Sequence, residues 1–414
     1  MDYLTSLKMT GSTKQQKAAL ITEHRTFTYA ELIKAAQSIR DTADFTSNCI
    51  FIHEDEISAQ LIAFLAYSGT KTVPVIATKV SRQQQFTVEN IPPRACMGVM
   101  TSGSTGRNKL LWRSYESWAD FFPEQNKIFG LDEHSTIFCQ GSLAFTGNLN
   151  IYMGVLAAGG TIVAANKLSP KKWLAMMNEY KVNAIYMIPS RLMVLAKTAT
   201  AQNHLVHHII SGSQSMGRHK AAELKNIFPN TEITLYYGAS ELNYITYIKD
   251  TDMTDDETLI GKPFHGVQIS IDHGEIMVST PYGIENIKMP FSLKGKGYID
   301  ENGSLHFQGR SDDIININGI KISAYKVEQT ILHRLPCRET AVMSLPYNGT
   351  DVLTAFIVLN ENSSITRTKL LKSLRQELTD YEIPKKFVYL HELPKNESGK
   401  IDRIALSKIY KKIS

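Results

Sequence analysis

Four short runs of this chain carry residue types that could do chemistry. The first is Thr101-Ser-Gly-Ser-Thr-Gly-Arg-Asn-Lys109. Hydroxyls and backbone N–H groups can cradle phosphate oxygens, and glycines let a backbone approach a ligand closely. Thr101, Ser102, Gly103, Ser104, Thr105 and Gly106 would form such a cradle, with Lys109 adding charge. A Walker P-loop would need glycine where Asn108 stands. The second run, Tyr236-Tyr-Gly-Ala-Ser-Glu241, ends a strand pattern. A carboxylate at the C-terminal end of a strand can hold a metal against phosphates. The third is Gly309-Arg-Ser-Asp-Asp313, followed by Gly319-Ile-Lys-Ile322. The fourth is Pro394-Lys-Asn-Glu-Ser-Gly-Lys400-Ile-Asp-Arg403, which places Lys400 after a Ser-Gly turn. Each run taken alone also has a plainer reading: an ordinary turn, an exposed strand end, a hinge, a solvated basic surface.

The elements that must position these runs alternate. Strand patterns at 49–53, 72–77, 161–164, 184–188 and 232–236 interleave with helical spacing at 57–67, 171–180 and 218–227. Such alternation predicts an α/β fold with a mostly parallel sheet covered by helices. Apolar stretches at 97–100 and 110–112 put the first run in a strand–loop–strand setting. Beyond Pro263 short strands at 267–271, 275–279, 297–300 and 304–308 predict a β-rich subdomain over 262–310, with a hairpin turn at Asp300-Glu-Asn-Gly303. The polar, glycine-bounded 309–313 run suits a hinge. Strands at 341–344, 353–359 and 386–390 and helices at 324–334 and 368–378 predict a small, mobile α+β lid. The expected domains are therefore 1–310 and 311–414.

Composition narrows the class. The 414 residues are 43% hydrophobic and 21% charged, as in ordinary globular proteins. Four separated cysteines (Cys49, Cys96, Cys139, Cys337) contain no CxxC pair, which argues against a zinc ribbon and fits a reducing cytoplasm. The net charge of +5 is too mild to argue for nucleic acid. The apolar run 151–165 is broken by Gly154, Gly159 and Gly160 and falls short of the roughly 18 residues of a membrane span. No secretory leader pattern opens the chain.

Together, in this order and spacing, the four runs resemble the adenylate-forming superfamily of acyl-CoA and aryl-CoA synthetases, peptide-synthetase adenylation domains and luciferases, in a short stand-alone form. Thr28-Tyr-Ala-Glu-Leu32, Ser211-Gly-Ser-Gln214 and Tyr381-Glu-Ile-Pro384 add weaker echoes. The resemblance implies an enzyme that joins a carboxylic acid to AMP from ATP with Mg²⁺, releases pyrophosphate, and passes the acyl group to the pantetheine thiol of CoA. A carrier protein's phosphopantetheine is the alternative acceptor, and a catalytically weak ligand-binding protein on the same fold is the alternative of another class. By resemblance, residues 102–106 and Lys109 hold the β and γ phosphates, Ser240 meets the α-phosphate, and Glu241 binds Mg²⁺. Ser211, Gly212, Ser213, Gln214, Tyr237 and Gly238 frame adenine and the acyl channel. Arg310 meets the ribose and phosphate side, Asp312 is the pivot, and Gly319 lines the pantetheine path. Lys400 bridges the carboxylate and the α-phosphate. The segment from Leu143 to Asn148, with Phe145 at the aromatic gate, borders the acyl pocket, which would suit an aryl or medium aliphatic acid.

Three departures stand out. Asn108 replaces the usual proline before the loop lysine. The region ahead of Thr101 is short. Most notably, Gly295 stands where an ungapped match expects the aspartate that clasps the ribose hydroxyls. Loss of that clasp predicts weak ATP binding, ribose contacts taken over by Lys294 or Lys296, or altered chemistry.

Overall fold

The computed structural model describes residues 1–77, 88, 90–102, 108–310, 313–317, 320–347, 350–396 and 400–413. Gly103, Ser104, Thr105, Gly106, Asp312 and Gly319 lie outside the described residues. The chain divides into two compact units. The first comprises Met1–Ser270, Val278–Phe291 and Asp300–Leu305, and the second Ile271–Met277, Ser292–Ile299 and His306–Ser414.

The first unit is built on a large sheet. Its strands run in the order Thr26–Thr28, Ala18–Ile21, Thr161–Ala165, Thr136–Gln140, Ala184–Tyr186, His208–Gly212, Glu232–Ala239, Asn243–Lys249, Leu259–Pro263. From Ala18–Ile21 to Glu232–Ala239 neighbours pair in parallel, and Asn243–Lys249 then turns back antiparallel. The parallel strands are apolar because helices cover them. One such layer contains Trp173, Met177, Leu192, Leu195, Leu224 and Phe228. The apolar run 151–165 resolves into the second half of the buried helix Thr146–Ala158 and the fully buried strand Thr161–Ala165. Gly159 ends that helix at φ +84°, a left-handed position that favours glycine.

A second, four-stranded sheet carries the hydroxyl-rich run. Cys49–Ile52, Val73–Ile76 and Met97–Ser102 are parallel, and Asn108–Arg113 folds back antiparallel on the last. The two expected strands form and pair antiparallel, with Thr101 opposite Lys109 and Ser102 opposite Asn108, while residues 103–107 between them lie outside the described residues. The Thr28 echo is a helix start. Thr28 accepts from the Glu31 amide while Glu31 accepts from the Thr28 amide, a capping box opening Tyr29–Thr42.

In the second unit Cys337–Tyr347 and Thr350–Leu359 form a long antiparallel pair, with Lys386–Tyr389 parallel to the latter. Val342, Leu353 and Ile357 bury one face with Val327, Ile331, Leu370 and Leu374 from the helices Ala324–Arg334 and Arg367–Leu374. Ala341, Phe356 and Val388 bury another cluster with Leu406 and Tyr410 of Arg403–Ile413. The 309–313 run, expected as a hinge, starts inside a strand, because Leu305–Arg310 continues through Arg310. The Asp300–Gly303 turn forms as expected: the Gly303 amide donates to the Asp300 carbonyl at 3.0 Å, and Gly303 has φ +76°.

Candidate active site

Ser240 and Glu241 occupy the tip of a tight hairpin. Glu232–Ala239 and Asn243–Lys249 pair up to Ala239 and Asn243, which leaves residues 240–242 as the loop. Two local features let the chain reverse there. Asn243 takes φ +72°, and Gly238 lies so close to the returning strand that a Cβ would sit 2.7 Å from the Asn243 carbonyl oxygen. Tyr237 is half-buried just before a bulge in the pairing.

The tip is fixed by its own carbonyls. Arg113, at the end of the strand that begins with Asn108 and Lys109, donates to the Ser240 carbonyl from Nε (3.2 Å) and Nη2 (2.7 Å). Its Nη1 donates to the Tyr282 carbonyl at 3.0 Å and to Ser117 Oγ at 3.2 Å. The Glu241 carbonyl accepts from the Ile284 amide at 2.9 Å. Arg113 is fully buried, and burial pulls its guanidinium down to about 10, opposed by nearby Glu241 among others. One buried cation thus ties the hairpin that bears Lys109 to the hairpin that bears Ser240 and Glu241.

The Ser240 hydroxyl lies 3.1 Å from Thr146 Oγ1, at the start of Thr146–Ala158. Phe145 is the N-cap of that helix and supplies no side-chain acceptor. The first-turn amides of a helix have no acceptor within it, and the helix dipole makes that end positive. The Ser240 hydroxyl therefore sits beside a helix end that favours an anion.

Of the other expected residues, Ser211 is fully buried and donates to the Met187 carbonyl at 2.7 Å, so its hydroxyl is spent on the fold. Gly212 lies against Tyr236, where a Cβ would come within 2.4 Å of the ring's Cζ. Ser213 takes φ +67°. Gln214 accepts from the Ser190 amide at 2.9 Å, in the first turn of Pro189–Thr198. This segment is clamped by Glu257, which accepts from Ser215 at 2.6 Å and pairs with Lys220 at 2.8 Å. Leu143 is buried with its amide on Gln60 Oε1 at 2.9 Å, whereas Phe145 is half-exposed. Lys109 is exposed.

The second unit holds Lys400, which is exposed on a pinched turn. The Lys400 amide donates to Asn396 Oδ1 at 3.0 Å, and the Asn396 amide donates to the Lys400 carbonyl at 2.8 Å. Arg403 anchors the following residues through Glu328 at 2.8 Å and the Val342 carbonyl at 2.6 Å. Burial raises the Glu328 carboxyl against the opposing pull of Arg403. Gly309 precedes Arg310 at φ +106°.

Gly295 faces inward. A Cβ there would stand 3.0 Å from the Phe307 ring and 3.6 Å from Ile276, while Lys294 and Lys296 are exposed. An aspartate at this position would point into apolar packing. Lys294 itself holds φ +57°, where the resembled Thr-Gly-Asp run has its glycine.

The site also contains Arg113, which the sequence reading did not single out because it is the polar end of an apolar stretch, whereas Thr146 lies within the 143–148 segment expected to border the acyl pocket. The one signal for Arg113 was a charge directly after Leu110–Trp112, where a buried strand would be expected to continue.

The chain belongs to the AMP-binding enzyme family. Residues 44–283 match its AMP-binding enzyme domain, and residues 326–400 match the AMP-binding enzyme C-terminal domain. It is 29% identical over 328 residues to the uncharacterized acyl–CoA ligase YhfT of Bacillus subtilis, an overlap of 74% of this chain and 67% of that protein. It is 26% identical over 448 residues to the D-alanine–D-alanyl carrier protein ligase of Lactococcus lactis, covering 98% of this chain and 87% of that one. The fold is that of o-succinylbenzoate CoA synthetase from Bacillus subtilis, solved with its acyl-adenylate intermediate, at TM-score 0.81, 19% identity and 97% coverage of both chains. ATP-bound MatB from Rhodopseudomonas palustris shares it too, at TM-score 0.81, 18% identity and full coverage of both.

Proposed function

We propose that this protein activates a carboxylic acid as its acyl-adenylate and transfers the acyl group to the thiol of CoA. The observation that carries the reading is the Ser240–Glu241 tip, locked by Arg113 beside the uncapped start of Thr146–Ala158, in a chain of the AMP-binding enzyme family. In the first step a carboxylate oxygen attacks the α-phosphorus of ATP, and the bond to the β-phosphate oxygen breaks to release pyrophosphate. In the second a pantetheine thiolate attacks the acyl carbon and AMP leaves. Both reactants of the first step are anions, so oriented donors and positive charge dominate its barrier.

The chain's own residues divide this work. Lys109 supplies charge to the β and γ phosphates beside the 102–106 run. Ser240 donates to the α-phosphate, and the helix end next to it favours the same anion. Lys400 offsets the charge of the carboxylate and the α-phosphate as they meet. Among the described residues no three carboxylate, histidine or cysteine groups gather into a metal cage. A lone, half-buried Glu241 instead fits Mg²⁺, which binds through one or two carboxylates and substrate phosphates. Bound there, the ion would neutralise phosphate charge.

The test is acid-dependent ATP–pyrophosphate exchange with Lys400→Ala as control. Exchange that the variant loses supports the reading, and silence across a broad acid panel overturns it. A second acceptor is favoured by the near-complete overlap with the carrier protein ligase: a carrier's phosphopantetheine in place of CoA. Supplying CoA or a loaded carrier to the pre-formed adenylate separates the two. All four cysteines are free thiols, which supports a cytoplasmic location. Among the described residues no helix is long and apolar enough to cross a membrane.

A further inference from the structure

The loop 240–242 is gripped at its far end too. Asn243 opens the returning strand in the left-handed region, at φ +72°. Glycine would hold that backbone equally well, so the turn itself does not require an amide side chain. Here the side chain reaches out of the hairpin in two directions. Its Oδ1 accepts from the Tyr244 amide at 2.9 Å and from Asn150 Nδ2 at 3.2 Å, and its Nδ2 donates to the Ser117 carbonyl at 3.3 Å. A backbone N–H can only donate and a carbonyl can only accept. The orientation of the Asn243 amide is therefore fixed, and Asn150 has to present its NH2 group.

Both partners lead back to Ser240. The Ser117 hydroxyl accepts from Arg113 Nη1 at 3.2 Å, and the same guanidinium holds the Ser240 carbonyl. Arg113 and Asn243 thus meet on one residue and enclose the loop from its two ends. Asn150 lies one turn beyond Thr146 in Thr146–Ala158, and Thr146 touches the Ser240 hydroxyl. Residues four apart share a helix face, about 6 Å apart along the axis. The hairpin end is laid along two successive turns of that helix, Ser240 on the first and Asn243 on the second. Sliding the hairpin past the helix start has to break the bond between the two asparagines. Asn150 and Asn243 are 2% and 6% exposed, so neither presents surface to a reactant.

We propose that Asn243, tied to Asn150 and Ser117, is a positioning residue for adenylation. It fixes the Ser240 hydroxyl and the Glu241 carboxylate relative to the start of Thr146–Ala158. The inference rests on the adenylation reading and adds two residues to it that act only through others.

The experiment is ATP–pyrophosphate exchange by the full chain, with rates taken per folded molecule and Mg²⁺ titrated. Asn243→Gly keeps the left-handed backbone and removes the ties. Misplacement of reacting groups by about 1 Å is felt strongly, so its maximal rate should fall by about 30-fold, with the KM for the acid changed less than about twofold. Its half-saturating Mg²⁺ concentration should rise severalfold, because Glu241 moves with the loop. Asn150→Ala should lower the rate by about tenfold, and the double variant should be no slower than Asn243→Gly, since both act through one bond. Asn150→Ala leaves the hairpin sequence intact and decides the matter if Asn243→Gly does not fold. A wild-type rate per folded molecule in the variants overturns the proposal, as does a double variant slowed by the product of the two single effects. If no acid supports exchange by the wild type, the adenylation reading fails by itself, and calorimetric titration with ATP and Mg²⁺ judges the tie. Binding at least threefold weaker in both single variants than in the wild type then upholds it, and equal or absent binding overturns it.

Discussion

Arg113 is the residue on which the site geometry depends most. Among the described residues it is a cation without a carboxylate among its hydrogen-bond partners, held by two carbonyls and a hydroxyl. Arg113→Met would leave the Ser240 and Tyr282 carbonyls unsatisfied, at about 1–3 kcal/mol each, partly offset by relief of the buried charge. We expect a net loss of about 2–3 kcal/mol in chemical denaturation, and a fall in exchange rate beyond that explained by unfolding. Arg113→Lys should rescue little, since one ammonium cannot serve both carbonyls in the fork geometry of a guanidinium. Gly295→Asp carries the opposite lesson. The sequence alone presents it as a repair of the ribose clasp. The structure places the new carboxylate against Phe307 and Ile276, so we expect lower thermal stability and no decrease in the KM for ATP. Lys400 is exposed, so Lys400→Ala should leave unfolding within about 0.5 kcal/mol of wild type while lowering exchange by about 100-fold or more.

At the scale of elements, short turns are held by neighbours rather than by their own sequence. The Ser211–Gln214 segment is braced by Glu257. Burial pushes the Glu257 carboxyl up, but Lys220, Ser215 and the Gly217 amide together outweigh it and hold it below its ordinary value of 4.5. A carboxyl lowered in the folded state contributes stability that is present above its unfolded value and lost as pH falls through its folded one. The stability gap between wild type and Glu257→Gln should therefore narrow on acidification from about pH 6 to about pH 3. A gap that stays constant would mean the clamp is not ionic. Gly212→Ala tests the same region sterically. The clash with Tyr236 should cost about 1–3 kcal/mol in thermal or chemical unfolding. The secondary-structure pattern was legible in outline, because strands near 49–53, 161–164 and 232–236 are apolar runs bounded by turns. The antiparallel return of Asn243–Lys249 was not, since nothing in its composition separates a returning strand from another parallel one.

Across the whole molecule the two compact units carry different residues of the proposed chemistry. The first holds Lys109, Ser240 and Glu241, and the second holds Lys400 on a turn pinned by Asn396 and Arg403. Each is a folded body with its own core, as its separate hydrophobic clusters require. The family match likewise falls into two parts, residues 44–283 and 326–400.

The sequence by itself determined the family, the order of its motifs and the residue types that meet phosphate. Those depend on local spacing, on glycines where backbone must turn, and on charges where anions must bind. Only the tertiary structure decided which of those residues remain available. It turned Ser211 inward to Met187 and directed position 295 toward Phe307. It also brought Arg113 under Ser240 across 127 positions of chain, and set Tyr186 against Tyr236 across 50. Burial and contact between distant strands are properties of packing, and no local pattern encodes them.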